Sequence, residues 1–229
     1  MGRTKPVTAS HTLRVLGALL SYPTAGIRAH FVEMRDILRT EGALNDARRT
    51  EIEALIDALA HRDALEVEAA YVELFDRGRG TSLHLFEHVH GDSRDRGPAM
   101  VDLAKTYEQA GLYLAEGELP DYLPAVLEFV STQPPREAVA FLGETAHILT
   151  AIFSALQARQ SAYASVLGAL LELAGEEAQA VAPVAEESLD ESWEEPPVFG
   201  GCSSQGQAKP GQPQPIRIIR KNAHPGAAV

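Results

Sequence analysis

VAFLGETAHILTAIFSAL, residues 139–156, decides the fold class. Val139, Leu142, Ala146, Leu149, Phe153 and Leu156 recur at gaps of three and four, which gathers them on one face of a helix and scatters them over both faces of a strand. Downstream, a second helical pattern runs from Ser161 through Val166, Leu167 and Leu170 to Ala174, with Gly175 after it. Upstream, Leu123, Val126, Leu127 and Val130 mark a shorter helix that Asp121 can cap. Further back, Pro98 suits a first helical turn and opens a long helix with Leu103, Tyr107, Ala110 and Leu114 on one face, closed by Gly117.

The first half repeats the pattern. Leu13, Leu16 and Leu20 form a stripe that stops at Tyr22-Pro23. Ile27, Phe31, Met34 and Leu38 form a second helix, ended by Gly42 as a left-handed cap. Asn45 can cap a third, whose face is Ile52, Leu55, Ile56 and Leu59. A fourth runs from near Asp63 through Leu65, Ala69 and Val72 to Phe75 and stops at Gly78. No stretch before residue 176 alternates like a half-buried strand. The expectation is an all-α protein, a single helical-bundle domain of about eight helices over residues 10–175, after a disordered segment 1–9.

Composition changes beyond Gly175. Residues 176–195 hold eight acidic side chains and no basic one, and the remainder to Val229 is rich in Pro, Gly and Gln. Neither part can bury enough apolar surface to offset chain entropy, so 176–229 is expected to be a disordered tail. The formal net charge of the 229-residue chain is -12, which argues against nucleic acid as a partner because nothing would neutralise phosphates. Basic partners fit that charge. The single cysteine, Cys202, allows neither an internal disulfide nor a thiolate cluster. The apolar run 15–20 is too short to span a bilayer, and no cleavage site follows it. The expected compartment is the cytoplasm.

The stretch with chemical content is SLHLFEHVHGDSRDRGPAMVD, residues 82–102. His84, His88 and His90 lie within seven positions of one another, beside Glu87 and Asp92. On a helix His84 and His88 would share a face, as metal-binding pairs do. The pattern is not His-Glu-x-x-His, and the other histidines are scattered singly. No nucleophile elbow, phosphate-binding glycine loop or dinucleotide fingerprint is present. The bland reading is a polar connector, with Asp92, Ser93 and Asp95 accepting backbone N–H groups and Arg94 and Arg96 holding carboxylates. On this reading there is no catalytic residue, no metal and no cofactor.

FEHVHGDSRDRG (86–97) followed by AMVDL (99–103) resembles the signature of the nitrate reductase delta-subunit family, the molybdenum cofactor assembly chaperones of respiratory nitrate reductase. YVELFD (71–76), ELPDYLP (118–124), LEF (127–129) and LGALLSYP (16–23) resemble the same family in order and spacing, so the likeness covers about residues 10–175. It implies the all-helical fold of molybdoenzyme chaperones. It also implies a partner, the apo catalytic subunit of nitrate reductase, bound chiefly through its N-terminal segment and kept competent for cofactor insertion.

A basic, amphipathic segment would enter an apolar groove with carboxylates at its rim. Candidate floor residues are Tyr71, Phe75, Phe86, Tyr107 and Tyr122, any of which can equally be plain core. The expected partner-binding set is Tyr71, Phe75, Phe86, Glu87, His88, His90, Asp92, Ser93, Arg94, Arg96, Asp121 and Tyr122, on a monomer or weak homo-oligomer without a membrane span. Two competing readings are a metal-dependent helical enzyme using His84, His88 and His90, and a generic helical adaptor acting through its charged tail.

Overall fold

The computed structural model describes residues 9–91 and 93–181. Ten α-helices succeed one another, and no strand forms among the described residues: α1 (Ser10–Leu20), α2 (Ala25–Ala29), α3 (Phe31–Glu41), α4 (Asp46–His61), α5 (Ala64–Tyr71), α6 (Leu85–His90), α7 (Arg96–Gln109), α8 (Leu123–Thr132), α9 (Pro135–Ala158) and α10 (Ala164–Ala174). A π turn, Val72–Asp76, prolongs α5, and a 3-10 turn, Arg79–Thr81, follows it. The segments expected to be disordered, 1–9 and 176–229, lie mostly outside the described residues. Within them, Val181 donates its N–H to the Ser154 hydroxyl at 2.9 Å.

Most apolar stripes read from the sequence form the core; α5 is the exception, since Leu65 and Ala69 of its expected stripe are exposed and the helix turns Val67 and Tyr71 inward instead. Leu16, Leu20, Leu127, Leu149, Ile152, Leu156 and Leu167 are essentially inaccessible to water. Each such side chain contributes about 1.5–3 kcal/mol relative to exposure. α10 lies along α9, α4 packs on α10, α3 bridges α1 and α4, and α1 lies against α8. These last two helices approach closely at Gly17, where an added Cβ would lie in van der Waals contact with the Pro124 carbonyl at 3.4 Å. α9 is the one described helix long and apolar enough to cross a membrane; here it buries Leu142, Leu149, Ile152 and Leu156 in the core.

Two helices exceed the eight expected, each for a local reason. The stripe from Ile27 to Leu38 is broken at His30 (φ -97°, ψ 7°), so α2 and α3 are separate helices although the apolar spacing continues across the break. α6 is six residues long, too short to show a period. α7 also ends earlier than expected. It stops at Gln109, where Gly111 (φ +80°) lets Leu112 donate to the Tyr107 carbonyl at 2.9 Å, a Schellman closure, and Gly117 lies in the following loop. Asn45 caps α4 as read, accepting from the Arg48 N–H at 2.9 Å, and Asp63, near which the next helix was expected to start, caps α5 by accepting from the Leu65 N–H at 2.9 Å.

Candidate functional site

Two chain segments far apart in sequence are fastened where α6 and α8 begin. Leu123 donates to the Leu83 carbonyl at 2.8 Å, and Leu85 donates to the Asp121 carbonyl at 3.0 Å. Between them, His84 and Tyr122 face each other across an isolated antiparallel bridge.

The Asp121 side chain completes the fastening. It is wholly buried, and its Oδ2 accepts the N–H of Phe86 at 3.2 Å. It therefore caps α6, whereas α8, which the sequence suggested it would cap, has no side-chain cap. Its Oδ1 lies 3.3 Å from His84 Nδ1, and the Arg96 guanidinium stands 3.7 Å from Oδ2. A buried carboxylate persists when such donors surround it. The hydrogen bond to Asp121 raises the His84 pKa above its usual value, against the opposing effect of burial.

Arg96 also reaches Glu87 Oε1 at 3.3 Å, and Ser82 donates to Glu87 Oε2 at 2.5 Å. His88 Nε2 donates to the Ser82 carbonyl at 2.9 Å. Asp121, His84, Arg96, Glu87, Ser82 and His88 thus form one polar clamp. The three histidines of the sequence cluster do not converge. His84 sits in extended backbone before α6 (φ -89°, ψ 104°), His88 turns to Ser82, and the His90 ring meets the Phe86 ring edge-on at 5.6 Å. Among the described residues no three His, Cys, Asp or Glu side chains are grouped to hold a metal.

Beside the clamp opens a cleft of about 430 Å³. Tyr71 and Phe75 line it from α5 and the π turn, Tyr122 from the start of α8, and His84 and Leu83 from the segment before α6. The π turn lies beside this cleft, and such turns often occur at functional sites. Tyr71 donates to the Leu20 carbonyl at 2.7 Å, so the hydroxyl of Tyr122, 3.0 Å away, donates to Tyr71. Burial pushes the phenol pKa of both tyrosines up. Phe75 packs on Tyr71 at 4.8 Å and on Tyr163 at 5.0 Å.

The residues expected to bind a partner divide into four places. Tyr71, Phe75 and Tyr122 line the cleft; Glu87, His88, Arg96 and Asp121 form the clamp behind it. Phe86 and His90 are half-buried against each other on α6. Ser93 and Arg94 are exposed in the turn before α7, and Asp92 lies outside the described residues. Tyr107, a candidate floor residue, is elsewhere: its hydroxyl donates to the Pro120 carbonyl at 2.7 Å and its ring packs on Phe129 at 4.8 Å. Arg96 is no free surface arginine, since its side chain is 26% exposed and it pairs with buried Asp121.

Seven wall residues were absent from the expected partner-binding set: Tyr22, Asp76, Leu83, His84, Gly117, Glu118 and Leu119. Tyr22, Asp76, Glu118 and Leu119 fall inside the blocks 16–23, 71–76 and 118–124, and Leu83 and His84 inside 82–102, which is the signal that pointed to them.

Comparison with known proteins agrees with this architecture. The family model described as "Nitrate reductase delta subunit" matches residues 41–169. Over 185 residues the chain is 43% identical to the nitrate reductase molybdenum cofactor assembly chaperone NarJ of Escherichia coli strain K12, covering 81% of this chain and 78% of that protein. It is 39% identical over 163 residues to NarW of the same strain, described as a probable chaperone of the same kind, covering 71% of this chain and 68% of that one. A crystal structure from Archaeoglobus fulgidus, described as a redox enzyme maturation protein, shares the fold with a TM-score of 0.51 at 18% identity, covering 76% of this chain and 99% of that one. On the extent of these matches, the chain belongs to the nitrate reductase delta-subunit family.

Proposed function

We propose that this protein is a system-specific assembly chaperone. It binds the catalytic subunit of nitrate reductase before that subunit has its molybdenum cofactor, and holds it competent for insertion. The carrying observation is the 43% identity to the Escherichia coli chaperone across 81% of the chain. The geometry supports the same reading. The polar side chains that could serve chemistry are engaged in holding loops, whereas the aromatic cleft stands open. A client's N-terminal segment enters that cleft, as amphipathic segments enter grooves between helices. The chaperone is not an enzyme, carries no cofactor of its own, and acts as a monomer or weak homo-oligomer in the cytoplasm.

Complementation tests this reading. In a strain lacking its own nitrate reductase chaperone, expression of the full chain restores reductase activity and the molybdenum content of the catalytic subunit. The variant Leu119→Arg, which places a bulky positive charge in the cleft against a basic client, accumulates to the same level and restores neither. Restoration by the charged variant would move the client site away from the cleft; failure of the unaltered chain would overturn the assignment.

A further inference from the structure

We propose that the cleft seats one long cationic side chain, Arg or Lys, of the client segment, and that Asp76 and Glu118 select for it. The inference rests on the chaperone reading and narrows it to a residue type and two determinants.

Charge matching around the cleft carries the argument. Neighbouring acidic side chains have partners: Glu73 pairs with Arg77 at 2.9 Å, Glu87 with Arg96 at 3.3 Å, and Glu68 accepts the Tyr22 hydroxyl at 3.0 Å. Asp76 and Glu118 line the cleft and differ. Asp76 is exposed at the end of the π turn, and no cation or hydrogen-bond donor among the described residues reaches its carboxylate. Glu118 accepts one long bond, from the Ala115 N–H at 3.4 Å, and no cation among the described residues pairs with it. His84 is the one cation-forming side chain in the described wall, and its Nδ1 is taken by Asp121.

The rest of the wall suits the stem and head of such a side chain. Leu119, 43% exposed, offers aliphatic surface, and Tyr22, 40% exposed, and Tyr122 offer ring surface. Arg and Lys lay their methylenes along apolar surface while the charged end finds carboxylates or a π face. An acidic or phosphorylated segment would meet two unmatched carboxylates and be rejected.

The test is a double-mutant cycle by calorimetry on the full-length chain. The probe is an N-acetylated synthetic peptide of the N-terminal segment of the reductase catalytic subunit from the same genome. Each Arg is replaced in turn by citrulline and each Lys by norleucine, and each peptide is titrated into the unaltered protein and into Asp76→Asn/Glu118→Gln. One position is expected to lose about tenfold in affinity on neutralisation against the unaltered protein and to lose nothing further against the double variant. The remaining positions lose equally against both proteins. Binding with losses additive at every position would overturn the cation seat and leave the chaperone reading in place. No binding of the native peptide to the unaltered protein would overturn both.

Discussion

Replacing Asp121 by alanine removes the carboxylate that joins the start of α6 to the start of α8. Three consequences can be weighed separately. The Phe86 N–H loses its acceptor, 3.2 Å away in the native protein; losing such a cap costs about 0.5–2 kcal/mol. His84 and Arg96 lose a buried partner, but their side chains are 32% and 26% exposed, so water takes over part of the contact. Half-exposed charge-assisted contacts of this kind are worth about 0.5–1 kcal/mol each. A small void adds a few tenths of a kcal/mol.

The expected total is about 2–4 kcal/mol, lost without a change in denaturant slope because the helices themselves remain. Asp121→Asn keeps the shape and one acceptor, and is expected to cost about half as much. Arg96→Ala should cost about 1 kcal/mol, and exposed Arg94→Ala nearly nothing. Urea unfolding followed by helical circular dichroism measures all four. An Asp121→Ala loss no greater than that of Arg94→Ala would refute the idea that this carboxylate fastens the two segments.

Other expectations follow from single contacts. The His84 pKa is raised by its hydrogen bond to Asp121, so its stabilisation is complete below the free imidazole value of 6.5 and fades as pH rises through the higher folded value. The urea-midpoint advantage of the unaltered protein over His84→Gln should therefore shrink with rising pH, and a flat difference across that window would contradict the pairing. Tyr71→Phe strips a buried donor from the Leu20 carbonyl and should cost about 1 kcal/mol. The Tyr122 hydroxyl, 3.5 Å from that carbonyl, can partly replace it, so Tyr71→Phe/Tyr122→Phe should cost more than the two single changes summed. Gly168→Ala places a Cβ 2.6 Å from the Arg48 guanidinium, which pairs with Glu172 at 2.9 Å. Helix propensity favours alanine by about 1 kcal/mol, so the change should stabilise an Arg48→Ala protein by that much and the unaltered protein far less. Equal gains in both backgrounds, measured by urea unfolding, would show that Arg48 does not need the space.

Helix faces were legible because burial of one face and three-to-four spacing are the same fact seen twice. Leu142, Leu149 and Leu156 are both in the stripe read from the sequence and at the centre of the core. What stayed hidden has no period to report it. The His30 break leaves the apolar spacing intact, and six-residue α6 is shorter than two turns. Asp121 looked like the cap of the helix that follows it, and only tertiary structure shows the carboxylate turned to Phe86, 35 residues upstream. His84 and His88 looked like a helical pair, but His84 sits in extended backbone ahead of the helix. The cleft was legible as blocks rather than as a surface. The segments 16–23, 71–76 and 118–124 were singled out separately, and folding brings Tyr22, Tyr71, Asp76, Glu118 and Tyr122 to one wall.

An assembly chaperone distinguishes the cofactor-free reductase subunit from the finished enzyme. The most direct measurement isolates the tagged catalytic subunit from two strains, one able and one unable to make the molybdenum cofactor, and quantifies the co-purified chain by mass spectrometry. Stoichiometric retention is expected on the cofactor-free subunit and negligible retention on the finished enzyme. Equal retention on both forms, or none on the cofactor-free form, would contradict the chaperone assignment.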